Sequence, residues 1–203
     1  DGDLRDGDLL LIDAGIELDT LYTADITRTL PVNGRFTAPQ RKVYDAVLEA
    51  ADAALTMCHP GTPFIEVHRA AITVLARRLH EWGLLPVTPE ESLDPETGGH
   101  HRRWMVHGTS HHLGIDVHDC AQARNEHYRE GTLRAGMIIT VEPGLYFKAT
   151  DLLVPDELKG IGVRIEDDVL ITEDGPRILS SALPRTAEDV EEWMAPLLER
   201  GRR

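Results

Sequence analysis

Four histidines lie close together in the middle of this 203-residue chain: His107, His111, His112 and His118. Neutral imidazole is both the commonest metal ligand and a ready proton carrier near neutral pH. His107 and His111 have the spacing of a zincin helix, but Gly108 stands where that motif requires glutamate. We therefore reject a zincin site and look for ligands elsewhere in the chain.

Four acidic residues lie in or beside apolar, strand-like runs, namely Asp13, Asp25, Glu142 and Glu166. A buried carboxylate without a partner is expensive or shifts its pKa. Any one of the four could pair with Arg28 or Arg164, but four acids together exceed what these arginines can neutralise. A bound cation is the economical alternative.

The mixture of several carboxylates with a single imidazole, His111, favours a hard divalent ion such as Mn²⁺ over tetrahedral zinc. Four carboxylates are also enough to hold two ions about 3.5–4 Å apart. Such a pair activates a water molecule and polarises a carbonyl. The residues therefore predict a hydrolase, and they leave phosphoester and peptide substrates both open.

Composition excludes several classes of protein. The net charge of −14 argues against a nucleic-acid partner, because no basic stripe offsets it. No apolar run is long enough to span a membrane, and no signal peptide opens the chain. Cys58 and Cys120 form no Cys-x-x-Cys pattern, which fits a reducing compartment, and we expect a cytoplasmic protein. Because the chain begins with Asp1, we expect a piece of a longer protein.

The elements that must position these residues can be predicted from periodicity and turn signals. The first strand and a second that carries Asp25 are followed by two amphipathic helices, of which the first starts at a Thr37–Gln40 capping box. Residues 84–103 are expected to form a surface loop with His100 and His101 in solvent. The predicted bounds are 8–14 for the first strand and 63–82 for the second helix. Two later strands are predicted over 136–146 and 162–171, and a last helix over 186–198. Uneven alternation favours an α+β fold.

Four blocks of sequence identify a family. LIDAG…ADITRT, HGTSHHLGIDVHD, MIITVEPGLY and GVRIEDDVLIT closely resemble the pita-bread metallopeptidases, and most closely the catalytic domain of Xaa-Pro aminopeptidases (aminopeptidase P). Prolidase, methionine aminopeptidase and creatinase share this family. The resemblance implies a curved, mostly antiparallel sheet covered by helices. It also implies that residues 1–203 are a partial catalytic domain, without the N-terminal domain and the opening of the catalytic domain.

The resemblance further implies a ligand set for two Mn²⁺ ions. Asp13 would bind one ion, Asp25 and Glu166 would bridge both, and His111 with Glu142 would complete the second. A hydroxide that bridges the two ions would be the nucleophile, and Glu142 would shuttle its proton.

The resemblance also gives roles to residues around the ions. His107 and His118 match histidines that bind substrate and stabilise the tetrahedral intermediate, so the catalytic residues would be Glu142, His118 and His107. Arg164 and Tyr146 match positions that orient these groups or the substrate. His112 receives no role and is expected to face away. Asp167 and Asp168 are expected to be structural or to support the ligands.

The implied activity is removal of an N-terminal residue from a peptide whose second residue is proline. The resemblance also implies a dimer or tetramer of the full-length protein. Prolidase, which cleaves Xaa-Pro dipeptides, is the nearest alternative. A metal-free binding module of this fold, and creatinase, are more distant alternatives, because all five ligands are intact here.

One departure from the family pattern concerns Asp13 and Asp25, which are twelve positions apart where the family has eleven. A slip inside a strand would turn one of them to the wrong face. We expect the turn over 16–22 to absorb the extra residue. A partial domain is also expected to expose apolar surface.

Overall fold

A computed structural model describes residues 3–201, with side chains to residue 199. The chain combines helices with antiparallel strand pairs, as the α+β prediction requires. The strands are β1 (Leu9–Glu17), β2 (Thr23–Pro31), β3 (Ile138–Val141), β4 (Gly144–Tyr146), β5 (Gly162–Arg164), β6 (Asp167–Thr172) and β7 (Gly175–Ile178). The helices are α1 (Ala38–Leu55), α2 (Phe64–Glu81), α3 (Pro89–Leu93) and α4 (Ala187–Gly201).

Strands β1 and β2 form an antiparallel hairpin whose register places Asp13 opposite Thr27 and Asp25 opposite Gly15. Residues directly opposite each other share a face, and side chains alternate along each strand. Asp13, Thr27 and Asp25 therefore project from one face. The pairing of the two strands is unbroken from Leu9 opposite Pro31 to Glu17 opposite Thr23, so no slip turns either acid to the other face.

The predicted strands over 136–146 and 162–171 are each interrupted, which corrects both predictions. The first breaks at Glu142 and Pro143 and the second at Ile165 and Glu166. On one side of the breaks β3 pairs with β6, and on the other β4 pairs with β5. Proline has no N–H for a ladder, and the Glu166 N–H donates to the Thr27 carbonyl of β2 at 3.1 Å. Both carboxylates thus stand where the chain changes sheets.

Helices α1 and α2 pack on each other, and α1 also packs against strands β3, β4 and β5. The predicted capping box is present: the Thr37 hydroxyl accepts from the Gln40 N–H, and the Gln40 side chain accepts from the Thr37 N–H. Val43 and Val47 of α1 and Leu75 and Leu79 of α2 are fully buried in one core with Ile139, Val163 and Val169 of the sheets. Burial of each such side chain stabilises the folded state by roughly 1.5–3 kcal/mol. The helices therefore stabilise the strands next to which the acids lie.

The segment over 84–103 is more ordered than the predicted surface loop. It contains α3, with a capping box at Thr88, and a 3₁₀ turn over His100–Arg103. The prediction that His101 is solvated is wrong. Its side chain is buried, and its Nδ1 lies 3.1 Å from the Ser92 hydroxyl. This hydrogen bond satisfies the ring nitrogen, which burial would otherwise leave without a partner.

The β1–β2 hairpin exposes large apolar side chains, including Ile12, Ile16 and Leu18. This exposure matches the apolar surface that is expected from the sequence. None of the helices in residues 3–201 combines the length and apolarity needed to cross a bilayer.

Candidate metal centre

Four ligand candidates converge where the interrupted strands meet the β1–β2 hairpin. The His111 Nε2 lies 3.4 Å from the Asp25 Oδ2 and 3.5 Å from the Glu142 Oε1. Asp25, His111 and Glu166 each offer a ligand atom, and these three atoms lie within 4.8 Å of one another. Residues from distant parts of the sequence thus bring three carboxylates and one imidazole together.

The segment over 107–112 runs beside β3 without being a regular strand. The Thr140 N–H donates to the His111 carbonyl at 2.9 Å, and the Glu142 N–H donates to the Thr109 carbonyl at 2.7 Å. Because neighbouring side chains in such an extended segment face opposite ways, His111 points to the acids while His112 points away. His112 stacks on Phe64 with ring centroids 4.8 Å apart, which agrees with its expected lack of a role in the site.

Burial and mutual repulsion raise the pKa values of the clustered acids. Burial is the main cause for Glu166, whose pKa rises to about 9, and for Glu142, whose pKa rises to about 7, with further contributions from neighbouring carboxylates. The pKa of Asp25 is also raised, by burial and by Asp13. Since a cation would favour the ionised forms, the donor set fits a divalent metal ion.

Asp13 lies at the edge of this cluster, next to Asp25, whose pKa it raises. Its half-exposed carboxylate forms an ion pair with Arg164. Arg164 also lies 4.0 Å from the Glu166 Oε2 and donates from its Nε to the Thr27 hydroxyl at 3.0 Å. Arg164 therefore links Asp13 to the residues around Glu166. The structure brings four of the five predicted ligands together and holds the fifth on this guanidinium.

The remaining predicted residues lie around the same centre. The His107 Nε2 is 2.6 Å from the Tyr146 hydroxyl, and Arg164 donates to that hydroxyl at 3.3 Å. The His107 Nδ1 is 3.8 Å from the Glu142 Oε2. The exposed ring of His118 meets the His111 ring edge-on, with centroids 4.5 Å apart.

A cavity of about 760 Å³ opens beside the centre, and its wall includes Glu142, His107, His111 and His118. Burial is the main reason why the pKa values of His107 and His111 are lowered. Both imidazoles are therefore neutral near pH 7, and the Nε2 of His111 can offer its lone pair, since its Nδ1 donates to the His112 carbonyl at 3.1 Å. The arrangement can hold cations next to a space large enough for a small peptide.

Two threonines support the acids and were missed by sequence reasoning. The Thr27 hydroxyl donates to the Glu166 Oε2 at 2.6 Å, and the Thr140 hydroxyl lies 3.5 Å from the Glu142 Oε1. Thr27 lies two positions after Asp25, and Thr140 lies two positions before Glu142. In an extended chain this spacing places each threonine on the same face as its acid, and it is the sequence signal that could have identified the two threonines.

The expectations for the two acids after Glu166 agree with the structure. Asp167 is buried between Arg28 and Arg185, each donating to it at 2.7 Å. Asp168 accepts the Asp25 N–H at 3.2 Å and so fixes the backbone that carries Asp25. Arg28 is thus used by Asp167, outside the cluster.

Comparisons with known proteins agree with this geometry. Xaa-Pro aminopeptidase 1 of Streptomyces coelicolor is 56% identical over 197 residues, which cover 97% of this chain and 40% of that protein. A histidine-to-alanine variant of Escherichia coli aminopeptidase P superposes with a TM-score of 0.89 at 40% identity, over 98% of this chain and 43% of that one. A zinc-substituted form of the same enzyme with bound product gives a TM-score of 0.87 at 41% identity, over 96% and 43%.

The fold is therefore that of aminopeptidase P, and the chain spans about two fifths of the length of these relatives. The model of metallopeptidase family M24 matches residues 1–173, which include every predicted site residue. The chain belongs to metallopeptidase family M24.

Proposed function

We propose that this chain is the metal-binding part of an aminopeptidase that hydrolyses the bond between an N-terminal residue and a following proline. The observation that carries the proposal is the convergence of Asp25, His111, Glu142 and Glu166 at the wall of a peptide-sized cavity. The names of the similar proteins, Xaa-Pro aminopeptidase and aminopeptidase P, support the substrate class.

We propose that Asp13, Asp25, His111, Glu142 and Glu166 hold two divalent ions, most suitably Mn²⁺. Oxygen-rich donors with one imidazole support a hard ion. The zinc-substituted relative supports the view that zinc can take the place of that ion. When bound, such ions lower the pKa of water and polarise the carbonyl to be cleaved. Asp13 would have to exchange its ion pair with Arg164 for a metal ligand position.

Glu142 is the proposed general base. Its carboxylate lies between His111 and His107, at 3.5 Å and 3.8 Å, and faces the cavity. Burial raises its pKa to about 7 in the metal-free protein, and a bound cation would favour the ionised carboxylate, which is the form that can accept a proton. Glu142 would take the proton of the attacking water and pass it to the leaving proline nitrogen.

His107 and His118 are the proposed substrate-binding residues, supported by Tyr146 and Arg164. The Nδ1 of neutral His107 donates to the Gly108 carbonyl at 2.6 Å, so its Nε2 accepts from the Tyr146 hydroxyl at 2.6 Å. That hydroxyl also accepts from Arg164. To stabilise the negative charge that develops on the substrate carbonyl oxygen, the His107 N–H would have to exchange the Gly108 carbonyl for that oxygen.

A peptide panel tests the proposal and separates its alternatives. The protein is incubated with Mn²⁺, or with EDTA, against Arg-Pro-Pro, its N-acetylated form and the dipeptide Arg-Pro, and products are identified by mass spectrometry. Manganese-dependent release of arginine from the free tripeptide only is the expected result. Cleavage of the dipeptide only would replace the proposal with prolidase. A folded protein that binds no metal would favour a metal-free binding module.

We also propose a dimer or tetramer for the full-length protein and the cytoplasm as its location. The family resemblance supports the first, and two unpaired cysteines, Cys58 and Cys120, support a reducing compartment. Light scattering on the full-length protein tests the oligomer, and a fluorescent fusion tests the location.

A further inference from the structure

Helix α2 contacts the histidine-rich segment at two points one helical turn apart. The His68 Nδ1 lies 2.9 Å from the Thr109 hydroxyl, and the Phe64 ring stacks on His112 at an interplanar angle of 17°. Phe64 and His68 are four positions apart and so share a face of the helix. Their two contacts, at 109 and 112, lie on either side of His111 in sequence.

Thr109 connects this helix face to the acids. The residue is fully buried, and its carbonyl accepts the Glu142 N–H at 2.7 Å. A displacement of Thr109 would therefore move the backbone of Glu142 as well as the segment between His107 and His111. One side-chain hydrogen bond from α2 thus acts on both sequence blocks that carry the proposed ligands.

The environment of His68 suits a fixed hydrogen bond. Its ring lines the same cavity as His107 and Glu142, and burial, aided by positive groups such as His101 and Arg102, lowers its pKa to about 4. The imidazole is therefore neutral near pH 7. Its contact with the uncharged Thr109 hydroxyl is then not disturbed by protonation at that pH.

We propose that His68 is a positioning residue, whose hydrogen bond to Thr109, with Phe64 packed on His112, sets the placement of His111 and Glu142 in the metal centre. The role rests on the proposed function, in which both residues are ligands. Supporting residues of this kind change metal affinity or activity by about 10–100-fold when removed, although they do not bind the metal.

Paired substitutions separate this role from general stability. His68→Leu keeps bulk but removes the hydrogen bond, whereas the amide of His68→Asn places a polar atom near the position of Nδ1. On the partner, Thr109→Val removes the hydroxyl and Thr109→Ser keeps it. His80→Asn, an exposed histidine on the same helix, is the matched control.

The expected result is a fall in kcat of about 10–100-fold for His68→Leu and Thr109→Val, with KM changed less than about threefold. The Mn²⁺ dissociation constant should rise about tenfold in the same two variants. His68→Asn and Thr109→Ser should recover most of both losses. Because the two residues act through one bond, the Leu/Val double variant should be no worse than either single variant.

Two results would overturn the proposal: wild-type kcat and Mn²⁺ affinity in His68→Leu, or equal losses in His68→Leu and His68→Asn. If His68→Leu does not fold, the Thr109→Val and Thr109→Ser pair decides by the same criteria. The calorimetric Mn²⁺ affinities do not depend on peptide cleavage. A wild-type protein that binds Mn²⁺ but leaves Arg-Pro-Pro intact would therefore count against the proposed function while still testing His68.

Discussion

Asp13 and Asp25 project from the same face of the β1–β2 hairpin, although twelve positions of chain separate them. Asp13 stands opposite Thr27 and Asp25 opposite Gly15, an even offset that keeps both side chains on one side. The strands are joined by a turn over 18–22, in which the Leu18 N–H donates to the Tyr22 carbonyl at 2.9 Å. Strand register, and not spacing along the chain, therefore aligns the two acids.

The register predicts which deletions the centre tolerates. Deletion of the exposed turn residue Asp19 shortens the loop and should leave Mn²⁺ affinity within about threefold of wild type. Deletion of Ala14 moves Asp13 into the position that faces the other way and should lower activity by about 100-fold or more. Calorimetry and peptide cleavage measure both. Equal losses in the two deletion variants would show that register does not control the centre.

Replacement of Glu142 should separate chemistry from folding. Glu142→Ala removes a general base and a ligand, so turnover of Arg-Pro-Pro should fall by about 10²–10⁴-fold or more. Thermal unfolding of the metal-free variant should stay near wild type, since the change removes a carboxylate that burial already disfavours. Activity comparable to wild type in this variant would contradict the role of Glu142.

The metal-free protein should lose stability as the pH rises. Burial raises the pKa of Glu166 from an ordinary value of 4.5 to about 9 and that of Glu142 from 4.5 to about 7. The folded state thus binds protons more tightly than the unfolded state, and stability present below pH 4.5 is lost progressively up to about 9.

Thermal unfolding in EDTA measures this dependence. The melting temperature should fall by about 5 °C or more between pH 5.5 and 8.5, whereas Mn²⁺ should raise it most at the higher pH, where ions do not compete with protons. Glu166→Gln should flatten the EDTA curve. A melting temperature in EDTA that rises over this range for wild type would show that the acids are not held in their protonated forms.

Asp167 is predicted to stabilise the fold and not the chemistry. Its carboxylate is buried between Arg28 and Arg185 and accepts from the Ser180 hydroxyl at 2.6 Å. Burial alone would raise its pKa, but the two arginines and Ser180 lower it overall. Asp167→Ala leaves two buried guanidinium groups without this partner and should cost about 3–5 kcal/mol.

The matched control for Asp167 is Asp45→Ala, which removes an exposed ion pair with Arg41 and should cost less than about 1 kcal/mol. Urea unfolding compares the two variants. If both unfold at the same urea concentration, the buried network around Asp167 does not stabilise the fold as described.

The sequence predicted most elements because local signals and the fold agree. The Thr37–Gln40 capping box and the apolar face of α1 are both formed as expected. The interruptions at Glu142–Pro143 and Ile165–Glu166 were not predicted. The second arises because Glu166 donates its N–H to Thr27, a partner that is distant in sequence and cannot be found from periodicity. The first falls at Pro143, which has no N–H for a ladder.

Prediction of the centre was limited for a similar reason. Residue types indicated which acids need a partner, but not that Arg164 holds Asp13 or that Thr27 and Thr140 support the carboxylates. His101 was expected in solvent because it lies in a polar run, yet Ser92 satisfies it inside the protein. Side-chain partners across the fold decide such cases.

If these residues hold two metal ions, calorimetric titration of Mn²⁺ into the metal-free protein should show two ions bound to each chain. At least one ion should be lost in Asp25→Asn and in Glu166→Gln, and neither in the exposed turn variant Asp174→Asn. A wild-type chain that binds no Mn²⁺, or a Glu166→Gln chain that still binds two ions with unchanged affinity, would contradict this prediction.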